Sequence, residues 1–142
     1  MLAISRSDLD VIIDHCLSCL PDEACGILGG KEGTVEKVYR MRNVRPSPVS
    51  YEMDAEEQFR IMKDIRREGL TLMGIFHSHP RSPAYPSGVD VEKAYWPGTV
   101  FPSYPEAVYV IVSLMEQQPV VKGFSILEGS VREVQLSVVD SR

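Results

Sequence analysis

The prolines of this chain are unevenly distributed, and their positions restrict where regular structure can lie. Six of the ten prolines fall between residues 80 and 105. Proline removes the backbone N–H group that a helix interior or a central strand needs, so this stretch is predicted to be irregular. A short helix from residue 87 to about residue 96 is expected to interrupt it. Irregular segments this long are uncommon in a compact domain and usually carry function.

Two amphipathic patterns outside this segment predict the main helices. The first is expected to begin at a capping box of Ser7 and Asp10 and to end before Pro21. Its predicted buried stripe consists of Leu9, Ile12, Ile13, Cys16, Leu17 and Leu20. The second helix is expected to be capped by Asp54 and to end at a left-handed Gly69. Its buried side is predicted to contain Phe59, Met62 and Ile65.

Short apolar runs between these helices predict the strands of a sheet. They cover residues 24–28, 34–44, 70–77, 107–114, 120–127 and 131–139. The last two are expected to form a closing hairpin across Glu128 and Gly129. The order of the elements predicts one α/β or α+β domain over residues 1–142. In it, a mixed and mostly antiparallel sheet is flanked by two main helices, with the short helix after the sequence His77-Ser78-His79.

Composition excludes some classes of partner. The net charge of −5 and the pI near 5.2 argue against nucleic acid, whose non-specific binding needs clustered basic residues. The longest nearly apolar run, residues 107–115, is half of what a spanning helix requires, so no membrane association is expected. Acidic residues near the N-terminus do not fit a secretory signal, and three cysteines fit reduced thiols. A cytoplasmic location is therefore expected.

A cluster of metal-ligand residues begins at the end of a predicted strand. His77 and His79 are two positions apart, so both side chains point to the same face of the strand. Asp90 follows after a loop and completes three ligands, which leave a tetrahedral zinc one open position, as in catalytic sites. Two alternatives stay open: two histidines hydrogen-bonded at a strand end, and an Asp90 that only caps a helix with Ser87.

A general base must come from outside this cluster, because a ligand committed to the metal cannot also shuttle protons. Glu23, between the first helix and the following strand, is the best candidate. The alternative is a surface carboxylate after a helix end. Asp22 is the neighbouring acid, and alternation along the chain places it on the opposite side.

Together these residues resemble the signature of the JAMM (MPN+) metalloproteases, the zinc isopeptidases found among deubiquitinating enzymes. The signature is a glutamate followed by H-S-H-x7-S-x2-D, and both gaps match here. The resemblance implies that His77, His79 and Asp90 bind Zn²⁺ with a water as the fourth ligand. It implies that Glu23 moves the proton and that Ser87 hydrogen-bonds the oxygen of the tetrahedral intermediate.

The resemblance extends over nearly the whole domain and is strongest to the stand-alone prokaryotic branch. It includes E-x-C-G-I-L-x-G at residues 23–30, Tyr51-Glu52-Met53-Asp54 and Gly74-Ile75-Phe76. It implies a sandwich like that of cytidine deaminase. The implied substrate is the glycine-ending tail of a ubiquitin-like or sulfur-carrier protein. Two alternatives remain: a catalytically silent scaffold in a larger assembly, and the same chemistry on a cell-wall or phage-tail peptide. The scissile bond, peptide or isopeptide, and the oligomeric state are left open.

Two further groups of residues have a structural explanation and a functional one. His15 with Cys16 and Cys19 could form a second metal or redox site, but helical spacing favours core packing of the thiols. Cys25 is also expected in the core. The aromatic residues of the proline-rich segment are expected to wall a groove beside the metal, packing of the loop being the alternative. They are Tyr85, Tyr95, Trp96, Phe101 and Tyr104.

Overall fold

A computed structural model describes residues 1–140 of the chain, so residues 141–142 of the predicted domain lie outside the described residues. Eight strands and three helices confirm the predicted fold class. In chain order they are β1 Leu2–Ser5, α1 Arg6–Ser18, β2 Cys25–Lys31, β3 Thr34–Met41, α2 Ala55–Arg67, β4 Thr71–His79, α3 Gly88–Lys93, β5 Val108–Ser113, β6 Val120–Leu127, β7 Ser130–Val134 and β8 Leu136–Val139.

The strands form one mixed sheet in the order β7-β6-β5-β4-β2-β3-β1-β8. The β1–β3, β1–β8 and β4–β5 pairs are parallel, and the other four are antiparallel. The sheet is therefore mixed and mostly antiparallel, as predicted. Its two outer strands, β7 and β8, are separated in sequence by Gln135 alone. The sheet must curve strongly so that one continuous stretch of chain can serve both edges.

The two main helices pack on opposite faces of this sheet. Ile12 and Cys16 of α1 lie in a core cluster with Leu28 of β2. Ile61 and Ile65 of α2 lie in another cluster with Ile27, the preceding residue of the same strand. Successive side chains of a strand point to opposite faces. The central strands are therefore covered on both sides, as in the predicted sandwich.

The start of α1 differs from the prediction. The N-cap is Ser5, whose Oγ accepts a hydrogen bond from the backbone N–H of Asp8 at 3.1 Å, and not Ser7. The reason is β1, which pairs in parallel with β8 and so fixes Ser5 in an extended conformation. The apolar stripe is also shorter than predicted. Leu9, Ile12 and Cys16 are buried, whereas Leu17 and Leu20 are 46% and 45% exposed.

The second helix matches its predicted ends but not its predicted buried face. Asp54 accepts from the backbone N–H of Glu57 at 3.2 Å, and Gly69 has a φ of 72°. Phe59, however, is 64% exposed, and the prediction that it is buried was wrong. The helix buries Ile61 and Ile65, which are four residues apart and share one side. Phe59 lies two positions before Ile61 and therefore points elsewhere.

The C-terminal hairpin is only partly as predicted. Strands β6 and β7 pair across Glu128 and Gly129, which both have positive φ. The stretch predicted as one strand over residues 131–139 is divided at Gln135, and β8 leaves the hairpin to pair with β1. The short helix α3 begins at its predicted position but ends at Lys93 rather than near residue 96. The two longest helices have 13 residues each, and none within residues 1–140 could span a membrane.

Candidate metal centre

The central strand β4 places the two histidines side by side. It runs to His79, two residues further than predicted, and is paired on one side with β2 and on the other with β5. Both imidazoles are buried, with at most 3% of either residue exposed. Ser78 between them points to the opposite face of the strand. Pairing on both sides holds this part of the backbone rigidly.

The N-terminus of α3 brings Asp90 to the histidines. Its Oδ2 lies 3.1 Å from Nε2 of His77 and 3.0 Å from Nε2 of His79. The two Nε2 atoms are themselves 3.1 Å apart. Tetrahedral zinc bonds of about 2.0–2.1 Å would put ligand atoms roughly 3.3 Å apart, close to this triangle. These three buried residues can therefore hold a metal ion.

The electrostatics favour the ligating protonation state at two of the three residues. The Nδ1 of His79 lies 2.7 Å from the carbonyl oxygen of Pro83 and donates to it, which leaves Nε2 as the ligand atom. Burial lowers the pKa of His77 and so favours its neutral form. Burial opposes ionisation of Asp90, but hydrogen bonds from both histidines hold the pKa of this carboxyl well below its usual range. Burial also lowers the pKa of His79, but its hydrogen bonds to Asp90 and Pro83 outweigh burial and raise it, so a metal ion must compete with a proton at this imidazole.

Ser87 and Asp90 also form the predicted capping box at the start of α3. Ser87 Oγ accepts from the backbone N–H of Asp90 at 3.1 Å, and the backbone N–H of Ser87 donates to Asp90 Oδ2 at 2.9 Å. The same carboxylate oxygen therefore caps the helix and faces both histidines. Ser87 is exposed, and in this cap its hydroxyl accepts, so its proton stays free to donate. Capping and a role at the site are compatible.

Glu23 is buried, so the alternative of a surface carboxylate is wrong. The residue is 3% exposed, and its Oε1 has no hydrogen-bond partner among residues 1–140. Its backbone is fixed on both sides, because its N–H donates to the carbonyl of Ser47 and its carbonyl accepts from Asn43 Nδ2. Burial, with a further contribution from the charge of Asp90, raises the pKa of Glu23 to about 7. A carboxyl with this pKa can both take and give a proton near neutral pH.

Ser78 connects the Glu23 segment to the histidine strand, a role that sequence reasoning missed. Its Oγ accepts from the backbone N–H of Ala24 at 2.8 Å, and its own N–H donates to the carbonyl of Ala24 at 3.1 Å. Ser78 is fully buried. A serine between two buried positions of a central strand was a signal for such a bond, because a buried hydroxyl needs a partner.

A cleft of about 450 Å³ opens beside the metal ligands. His77 and Asp90 line it, together with Trp96 and Tyr104 from the proline-rich segment. The other three aromatic residues predicted for the groove do not line this cleft. Tyr85 packs on Phe124, Tyr95 packs against the core cluster that contains Ala94, and Phe101 is 67% exposed. The predicted groove therefore exists with two of its five predicted aromatic residues.

The cysteines lie where core packing predicts. Cys16 and Cys25 are buried, Cys19 is partly buried, and all three are free thiols. Burial raises the pKa of Cys16 and of Cys25 to about 12, which makes them unreactive at neutral pH. Nε2 of His15 lies 3.2 Å and 3.1 Å from the carbonyl oxygens of Cys25 and Met41. This nitrogen holds the ring against the backbone, and among residues 1–140 His15, Cys16 and Cys19 do not form a ligand group as His77, His79 and Asp90 do.

The buried carboxyl of Glu23 gives a stability prediction for the metal-free protein. Because its folded pKa of about 7 lies above the ordinary 4.5, the parent loses stability as pH rises between these values. Glu23→Gln carries no charge, so it is expected to exceed the parent in unfolding free energy by up to roughly 3 kcal/mol at pH 8. At pH 4 the difference should vanish. Urea unfolding at both pH values measures it, and an equal difference at both would contradict the assigned cause.

Comparison with known proteins assigns the chain to a family. A family model described as prokaryotic homologs of the JAB domain matches residues 5–126. The chain is 33% identical over 141 residues to the CysO-cysteine peptidase of Mycobacterium tuberculosis, covering 96% of this chain and 91% of that protein. It is 42% identical over 107 residues to the desampylase of Haloferax volcanii, covering 70% and 77% of the two chains.

A solved structure shares the fold. The solution structure of protein DSY2949 from Desulfitobacterium hafniense superposes with a TM-score of 0.85 at 36% identity. The alignment covers 99% of this chain and 94% of that one. The chain therefore belongs to the prokaryotic JAB family, the prokaryotic branch of the JAMM/MPN proteins that its motif predicted.

Proposed function

We propose that this chain is a cytoplasmic, zinc-dependent metallopeptidase, with residues 1–142 as its single domain. It hydrolyses the amide bond after the glycine-ending C-terminal tail of a ubiquitin-like or sulfur-carrier protein. The observation that carries the proposal is the buried triangle of His77, His79 and Asp90, which supplies three ligand atoms within 3.1 Å of one another. Names of relatives, a CysO-cysteine peptidase and a desampylase, support the class of substrate.

The ligand set favours zinc over the harder divalent ions. Two imidazole nitrogens and one carboxylate oxygen are a common catalytic zinc set, whereas magnesium and calcium prefer oxygen ligands alone. Three protein ligands leave a position for water or substrate. His77, His79 and Asp90 would hold the zinc, which would supply a Lewis acid for the scissile carbonyl and lower the pKa of a water molecule to about 7.

The residues around the ligands supply the other parts of amide hydrolysis. Glu23 takes a proton from the attacking water at its unpartnered Oε1 and passes it to the leaving amine. Ser87 donates a hydrogen bond from its hydroxyl to the oxygen that becomes negatively charged in the transition state. The cleft lined by Trp96 and Tyr104 receives the tail. Glycines suit such a place because they lack side chains and permit a close approach of the backbone.

A cleavage assay with metal analysis tests the proposal. The purified protein is expected to contain close to one zinc ion per chain and to cleave a ubiquitin-like or sulfur-carrier protein carrying an extension after Gly-Gly. EDTA should abolish cleavage, and added zinc should restore it. Substrates with the extension joined by a peptide bond or through a lysine side chain identify the scissile bond. Zinc binding without cleavage of any such substrate would favour the scaffold, and cleavage only of cell-wall peptides would favour the other alternative.

Ser87→Ala tests the hydroxyl at the start of α3. We expect kcat to fall by about 10²- to 10³-fold with KM nearly unchanged, because the hydrogen bond to the oxyanion strengthens only in the transition state. Loss of the N-cap bond should also cost about 1 kcal/mol of stability. Ser87→Thr keeps a hydroxyl and is the matched control, expected to retain most of the activity. Steady-state kinetics decides, and an alanine variant as fast as the parent would remove Ser87 from the mechanism.

A further inference from the structure

The two histidines of the metal centre are held in different ways. His79 is oriented by the bond from its Nδ1 to the carbonyl of Pro83. The Nδ1 of His77 is buried and has no hydrogen-bond partner in the part of the chain that is described. A metal-ligating histidine almost always uses its second nitrogen to fix the ring. Another contact must therefore set the orientation of His77.

An aromatic ring provides that contact. The ring of Tyr51 lies against the imidazole of His77, with 4.8 Å between ring centroids and 31° between ring planes. This distance and tilt are within the range of offset aromatic stacking. The contacts of Tyr51 with His77 and Lys93 are made by its ring and its backbone carbonyl. The contact to His77 therefore depends on the ring and not on the phenol group.

The same tyrosine is attached to the helix that carries the third ligand. Lys93 Nζ lies 4.8 Å from the centroid of the Tyr51 ring, within cation–π distance, and donates a hydrogen bond to the carbonyl oxygen of Tyr51. Lys93 is on α3, three residues after Asp90. Tyr51 thus contacts His77 on β4 and, through Lys93, the helix of Asp90. It links two elements that each contribute a ligand.

We propose that Tyr51 is a positioning residue of the metal centre, which orients His77 by stacking and, with Lys93, fixes the spacing between β4 and α3. The inference rests on the proposed metal binding and extends it to a residue that holds no metal itself. It also gives a role to Tyr51, which is not one of the five motif residues.

Zinc affinity of the purified chain, measured without substrate, tests this inference. Removing an outer partner of a metal ligand typically weakens binding by about 10- to 100-fold. Tyr51→Leu is expected to show a loss of that size in competition with a chromophoric chelator. Tyr51→Phe keeps the ring and should stay within about threefold of the parent. Lys93→Met leaves the ring in place but releases it from α3, so a smaller loss than for Tyr51→Leu is expected.

A matched control separates positioning from general damage to the cleft. Tyr104 lines the same cleft and bonds Gln58, but it is not stacked on a ligand, so Tyr104→Leu should bind zinc like the parent. Thermal unfolding of the metal-free proteins shows whether each variant is folded. With Co²⁺ in place of zinc, Tyr51→Leu should show an altered ligand-field spectrum and Tyr51→Phe an unaltered one.

The results separate this inference from the proposed function. Parent affinity in Tyr51→Leu, or an equal loss in Tyr104→Leu, would overturn the positioning role. If Tyr51→Leu does not fold, the other two variants decide. The role is then overturned if Tyr51→Phe loses more than about threefold in zinc affinity, or if Lys93→Met binds zinc as tightly as the parent. A parent protein that binds no zinc would overturn both proposals. A parent that binds zinc and loses it in Tyr51→Leu, yet cleaves no substrate, would refute the peptidase and support the role of Tyr51.

Discussion

Glu23→Gln is expected to lower kcat by about 10²- to 10⁴-fold while the protein keeps its zinc, the usual effect of removing a general acid/base. Glutamine has nearly the same shape as glutamate but cannot accept the proton of the attacking water. Glu23 is not one of the three ligands, so metal content should not change. The fall in rate should therefore appear in kcat at saturating substrate, with full zinc occupancy.

The control for this experiment is the adjacent acid. Asp22→Asn also removes one carboxylate from the same loop, and Asp22 is partly exposed where Glu23 is buried. We expect Asp22→Asn to retain the parent rate. Single-turnover kinetics with zinc analysis of the same samples makes the comparison. A Glu23→Gln enzyme as active as the parent would show that the proton moves through another group.

Asp90→Ala should abolish activity by releasing the metal. The substitution removes the only anionic ligand of the three, and two neutral imidazoles should bind zinc at least about 100-fold more weakly, more than loss of an outer partner costs. Burial makes the effect larger, because the positive charge of the metal would then stand in a buried site without the carboxylate that balances it. Calorimetric titration of the metal-free protein with zinc measures this change.

Loss of the helix cap must be separated from loss of the ligand in this variant. Asp90→Asn keeps an oxygen that can accept from the N–H of Ser87, so it should preserve α3 while still lowering zinc affinity. Asp54→Ala removes the cap of α2, a helix that carries none of the three ligands, and should reduce stability by about 1 kcal/mol without changing zinc binding. If Asp90→Ala and Asp54→Ala bind zinc equally well, Asp90 only caps its helix.

Local chemistry in the sequence predicted much of this fold. The caps at Asp54 and Ser87 and the left-handed Gly69 depend on residues within one helical turn, and all three lie as predicted. Strand β1 could not be found this way. It has four residues, and its pairing with β8 joins Leu2 to Leu136, which no local pattern records. The wrong burial of Phe59 has a similar cause, because apolar character alone does not tell which side of a helix meets the sheet.

In the candidate site, too, features set by nearby residues were predicted and contacts between distant residues were not. The spacing of His77, His79 and Asp90 within 14 residues allowed a metal cluster to be predicted, and the side chains do converge. The contacts of Ser78 with Ala24 and of Tyr51 with His77 join residues 54 and 26 positions apart. Such contacts depend on which strands and loops become neighbours. The supporting residues of a site are therefore harder to predict than its ligands.

The place of β4 inside the sheet has a consequence for how a substrate reaches the metal. Both sides of β4 are occupied by β2 and β5, so an incoming chain cannot bind by adding a strand to the one that carries the histidines. The ligands are instead reached through the cleft over the face of the sheet, which His77, Asp90, Trp96 and Tyr104 line. We therefore expect main-chain pairing with β4 to contribute nothing to substrate recognition, which falls to the side chains that line the cleft.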